Sequence, residues 1–147
     1  MLRSERGQSL VELALVMPLL ILLLAGVADL GRAFFSYIQI TNAAREGARA
    51  ASRLSCYRLD TTQQAAYADR VRQAIQDEVD GAIVDPGDLI IAVSPAISPD
   101  PGYRCPNAGE KIVVTVSYPY ITILSGASRI GNFTMSSTAA MSRIAPP

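Results

Sequence analysis

The residue under the clearest chemical tension is Glu12, a carboxylate at the head of an apolar run. From Leu13 to Ala28 sixteen residues carry no charge, and eleven of them are Leu, Ile, Val or Met. An acidic side chain at mid-bilayer costs about 2.5–3.5 kcal/mol on insertion scales, less near an interface. Two readings follow. Glu12 can sit near the headgroups at the start of a helix, where the helix dipole favours negative charge. Alternatively it has a cationic partner, and the residues before it, Arg6-Gly7-Gln8-Ser9-Leu10-Val11, suggest one. A cut between Gly7 and Gln8 would free an α-amine, whose ordinary pKa is about 7.7–8. That amine, on a neighbouring subunit shifted along a helical bundle, would offset the desolvation of both groups. It would also specify the axial offset between subunits.

Other chemistry is thinly represented. Without histidine there is no Ser-His-Asp triad, no imidazole metal ligand and no side-chain switch near neutral pH. Two cysteines, Cys56 and Cys105, cannot form a Cys-only zinc site. On the oxidising side of a membrane they can pair, closing a loop of about 50 residues worth at most ~4 kcal/mol in the chain-entropy model. Two free thiols or a link to another subunit are the alternatives. Asp85 and Asp88 lack the further acidic ligands that calcium needs and read as turn residues. Asn132-Phe133-Thr134 matches a glycosylation acceptor, a pattern common by chance. No paired acids occur in a shared motif, so no catalytic residue, metal or cofactor is assigned. Thirteen basic and thirteen acidic residues cancel, which argues against a nucleic-acid partner.

Positioning Glu12 requires a membrane helix. Counting Gln8 to Val11 and accepting Glu12, the apolar run is about 20 residues, enough to cross a ~30 Å hydrocarbon layer. Arg3 and Arg6 precede it, which favours the N-terminus inside and the body outside. Pro18 removes a backbone donor and clashes with the carbonyl of Ala14, so a kink is expected there, either inert or serving as a joint. Gly26-Val27-Ala28 is a small-x-small triplet that an ordinary signal peptidase could cut before Asp29. An uncleaved single-pass anchor is the third option.

Beyond the membrane no strong breaker interrupts the chain, and one helix is expected from about Ser9 to Ser52, ~65 Å long. Asp29 and Arg32 can pair at the exit, for about 0.2–0.5 kcal/mol. Arg45, Arg49 and Arg53 form a basic stripe, read as a solvated face or as a contact with headgroups or a neighbouring subunit. Small residues at Ala43, Ala44, Gly47, Ala48, Ala50 and Ala51 admit close packing, under the chain's own domain or between subunits.

The remainder reads as a small α+β domain. A second helix, capped by Asp60, Thr61 or Thr62 and ending before Gly81, buries Tyr67, Val71, Ile75 and Val79 along one stripe. Strands are expected at Leu89 to Ser94, Lys111 to Tyr118 and Phe133 to Ile144, with Ile112, Val114 and Val116 on one face. Residues 94–109 hold four prolines and two glycines and read as a loop. The fold class is therefore α+β: a long N-terminal transmembrane helix, a second amphipathic helix and about three antiparallel strands packed on both helices. Tyr118-Pro119-Tyr120, at a strand end, reads as core or as an exposed aromatic contact.

The stretch RGQSLVELALVMPLLILLLAGVADLGRAFF, with TNAAREGARAAS after it, resembles the TadE-like family of minor pilins, or pseudopilins, of tight-adherence (Flp-type) pilus systems. The likeness covers about the first 53 residues. Where the family often has an aromatic residue after the glutamate, this chain has Leu13. The resemblance implies a leader at 1–7 removed by a prepilin peptidase between Gly7 and Gln8. It implies a membrane and assembly helix at 8–30, its outer continuation at 31–55, and a pilin-like domain at 56–147. Glu12 would be the registry carboxylate. Implied partners are the lipid bilayer, the prepilin peptidase, other pilin or pseudopilin subunits and the pilus assembly platform. The implied location is the cytoplasmic membrane, with the globular domain outside. The alternatives are an anchored extracytoplasmic binding domain outside any filament, and an ordinary secreted domain starting at Asp29.

Overall fold

The computed structural model describes residues 4–54, 61–79, 81–96, 106–126 and 132–144. A single helix, α1, runs Ser4–Arg53. Fifty residues at 1.5 Å each make it about 75 Å long. It begins five residues earlier than the sequence suggests and passes through Pro18, Gly26, Gly31 and Gly47 without ending. A second helix, α2, spans Thr61–Gln76. Three strands follow: β1 (Ile90–Ser94), β2 (Lys111–Tyr120) and β3 (Phe133–Ser142). They form one antiparallel sheet in the order β1-β2-β3. The architecture is the expected α+β fold. Asp85-Pro86-Gly87-Asp88 is the expected turn: Pro86–Asp88 forms a 3-10 turn, and the Asp85 carboxylate accepts the Gly87 N–H at 2.8 Å.

The register explains the core. Val114 lies opposite Val93 on one side and Ala139 on the other, and Val116 opposite Ile91 and Ser137. Directly opposed residues share a face, so even-numbered β2 residues and odd-numbered residues of β1 and β3 point toward α1. Ile112, Val114 and Val116 are accordingly buried, while β3 contributes the small Ser137 and Ala139. On the outer face the Thr115 and Thr138 hydroxyls are hydrogen-bonded across the strands at 2.9 Å.

Both the sheet and α2 pack on α1, and the buried residues of all three join one core. Ala43, Ala44, Ala48 and Ala51 are buried there, so the small-residue stretch packs beneath the chain's own domain. At Gly47 the approach is closest. A methyl on that residue would stand 2.7 Å from Ile75 Cδ1, nearer still to Ile75 Cγ1, and 3.3 Å from Val114 Cγ1. Glycine is required because α2 and β2 converge on one point of the helix backbone.

The outer end of α1 is tied off by hydrogen bonds to the last carbonyls, which have no partner within a helix. The Ala50 carbonyl accepts from the Leu54 N–H (3.0 Å), that of Ala51 from the Tyr67 hydroxyl (3.1 Å), and that of Ser52 from the Ile144 N–H (3.2 Å). The turn leading into β2 needs the positive φ of Gly109, 79°, and its N–H reaches the Arg143 carbonyl at 3.0 Å. Arg143 itself is buried, its guanidinium donating to the Pro106 carbonyl.

Candidate membrane anchor and assembly site

The inner half of α1 is apolar and uncovered. Every Leu, Ile, Val and Met from Leu10 to Val27 is exposed, whereas the outer half of the helix buries one face from Asp29 to Ser52. The helix is long and apolar enough to cross a membrane once, and it fits a single-pass anchor. The boundary between uncovered and covered helix falls at Asp29, the first charge after Glu12.

Gly7, Gln8 and Glu12 all lie on this helix and are exposed. Gly7 has open space around it. Among the described residues Glu12 has no ion-pair partner within the chain. Glu12 is four positions on from Gln8, an axial distance of about 6 Å. Pro18 sits in the wall of a shallow apolar groove of about 560 Å³ lined by Ala14, Met17, Ile21, Leu22 and Ala25. Cys56 and Cys105 lie outside the described residues, as does Asp60. Arg45, Arg49 and Arg53 are exposed, and Arg49 pairs with Glu46 at 3.4 Å. Arg45, Glu46 and Arg49 also line an open polar groove of about 440 Å³ completed by Asn42, Glu78 and Met141.

A second cluster, at the exit of the apolar segment, is where sequence reasoning reached only part of the arrangement. The expected Asp29–Arg32 pair is present at 3.6 Å. Asp29, however, is buried, and its main partner is remote in sequence: the Ile123 N–H donates to both carboxylate oxygens, at 2.8 and 3.0 Å. Ile123 opens the 3-10 turn Ile123–Gly126, so the carboxylate takes up a turn-end N–H that the turn itself leaves unpaired. The Tyr120 hydroxyl donates to the Asp29 carbonyl at 2.9 Å. Arg32 stands over the Tyr120 ring at 5.8 Å, within cation–π range. Phe133, across the strands, packs on the same ring with centroids 5.3 Å apart.

Burial pushes the Tyr120 phenol above its ordinary pKa; Arg32 pulls against this, and the Asp29 charge and hydrogen bond add to it. Tyr120 is therefore core, as its strand-end position suggested, and also a tie between sheet and helix. The one available signal was local: Asp29 is the first acid after sixteen uncharged residues, a place where an unpaired carboxylate would be costly.

The family model for TadE-like protein matches residues 7–49. The match thus covers α1 from Gly7 through the exit cluster to the helix buried beneath the sheet, and agrees with the likeness drawn from the N-terminal motifs. The strands and α2 lie outside it. No curated protein and no solved structure matches the chain.

Proposed function

We propose that this chain is a membrane-anchored pseudopilin or minor pilin that takes part in assembling a tight-adherence pilus, with a structural rather than catalytic role. The observation that carries the reading is a coincidence: the TadE-like match runs along the helix whose inner half the fold leaves apolar and uncovered. Such a face needs lipid before assembly or other helices after it. The groove at Pro18 offers a place for a second helix to approach.

In this reading the leader is 1–7, and a prepilin peptidase cuts between Gly7 and Gln8. The new amine of Gln8 on one subunit pairs with Glu12 of a neighbour, other pilins or pseudopilins being the partners. Because the two positions are about 6 Å apart along the axis, pairing sets neighbouring helices off by that rise. The domain faces outward from the cytoplasmic membrane and engages the pilus assembly platform. The TadE-like match, which begins at Gly7 and runs on through Gly26-Val27-Ala28, supports this over a start at Asp29.

The mass of the mature protein tests the processing step. Loss of residues 1–7 is the expected result; a start at Asp29 or an intact chain would refute it. For assembly the test is Glu12→Gln in the producing cell. Cleavage should continue while piliation falls. Normal piliation with that variant would refute charge pairing as the basis of registry.

A further inference from the structure

We infer that the turn at Ile121–Ser125 rests in the headgroup layer of the same bilayer that α1 crosses, giving the domain a second contact with lipid. The inference rests on the reading of α1 as a membrane anchor and goes beyond it, since an anchor alone leaves the domain free to stand clear of the surface.

Leu10 to Ala28 is nineteen residues, about 28 Å of helix, which matches a hydrocarbon layer of ~30 Å. Asp29 then stands at the outer boundary. The Ile123 backbone is bonded to the Asp29 carboxylate at 2.8 and 3.0 Å, and Tyr120, at the end of β2, to the Asp29 carbonyl at 2.9 Å. The turn is thereby held at the level where the helix leaves the membrane.

Ile121 is 62% exposed and Ile123 52%, and neither joins the core. Phe133, packed on the Tyr120 ring, is 49% exposed. On α1 at the same level Leu30 is 72% exposed, so the apolar surface of the turn is continuous in height with that of the anchor. The Asp29 carboxylate already accepts the Ile123 N–H on both oxygens and faces Arg32, which offsets its repulsion from anionic lipid. The Arg32 side chain is 42% exposed and presents a cation to that layer. The opposite end of the sheet bears Asn107, Lys111 and Ser142 alongside Ile144.

The chain contains no tryptophan, so a single introduced one reports its own surroundings. Full-length Ile123→Trp and Ile121→Trp variants are reconstituted in phosphatidylcholine–phosphatidylglycerol vesicles, with Leu22→Trp marking the span and Lys111→Trp the far end. Bromine-labelled lipids should quench Ile123→Trp and Ile121→Trp, most strongly with bromine near the headgroup, and their emission should be blue-shifted from that of Lys111→Trp. Quenching of Leu22→Trp with Ile123→Trp and Ile121→Trp at the Lys111→Trp level overturns the inference and leaves the anchor standing. Blue-shifted emission insensitive to brominated lipid means that a second copy covers the turn, which also overturns it. An unquenched Leu22→Trp refutes the anchor, and the inference with it.

Discussion

Gly47→Ala is the sharpest test of the packing around α1. The new methyl would stand 2.7 Å from Ile75 Cδ1 and 3.3 Å from Val114 Cγ1, with Ile75 Cγ1 nearer still. Carbon atoms at rest sit about 3.5–4.0 Å apart. Ile75 and Val114 are both fully buried, so neither can swing into solvent. Overpacking of this kind costs about 1–3 kcal/mol. Replacing a helical glycine by alanine recovers about 0.5–1 kcal/mol of backbone entropy. The expected net change is a loss of about 0–2.5 kcal/mol. For a folding unit of about 60–100 residues each kcal/mol lowers Tm by about 4–8 °C.

The assay is thermal unfolding of the full chain in detergent, followed by near-ultraviolet circular dichroism of its six tyrosines. Gly31→Ala is the control, because nothing lies within 4 Å of that position; it should leave Tm unchanged or raise it. Ile75→Ala should cost about 2–5 kcal/mol alone, as a cavity. Combined with Gly47→Ala it should cost less than the sum, by about 1 kcal/mol or more, because the two changes compensate in volume. A Gly47→Ala variant as stable as Gly31→Ala, or strict additivity with Ile75→Ala, would refute the convergence of α2 and β2 on this residue.

Asp29→Ala should destabilise the domain by about 1–3 kcal/mol, since it strands the Ile123 N–H. Hydrogen exchange at that amide should accelerate, and Asp29→Asn, which keeps an acceptor, should lose less. Tyr120 gives a pH signature: its folded-state pKa is raised above 10.0, so the stability it contributes is fully present below pH 10.0 and is lost as pH rises through the folded value. Tyr120→Phe should therefore show a shallower alkaline decline in a Tm–pH series. At neutral pH it should lose only about 0.5–1.5 kcal/mol, the worth of the hydrogen bond to the Asp29 carbonyl.

Local pattern was enough for the elements themselves. Sixteen uncharged residues cannot be hidden in a domain this small, so an exposed apolar helix followed from Leu13 to Ala28 directly. Four-residue spacing from Tyr67 to Val79 and strict alternation from Ile112 to Val116 each identify one buried face, and those are the faces that are buried. The alanine-rich stretch announced close packing without naming what packs.

Tertiary structure decided the partners, because they are long-range contacts that no local period encodes. It brought Ile75 and Val114 together over Gly47, and it joined Asp29 to Ile123 across 94 positions. A three-residue spacing made Arg32 the natural companion of Asp29. The stronger claim on that carboxylate comes from a backbone N–H, which every non-proline residue carries and which therefore leaves no mark in the sequence.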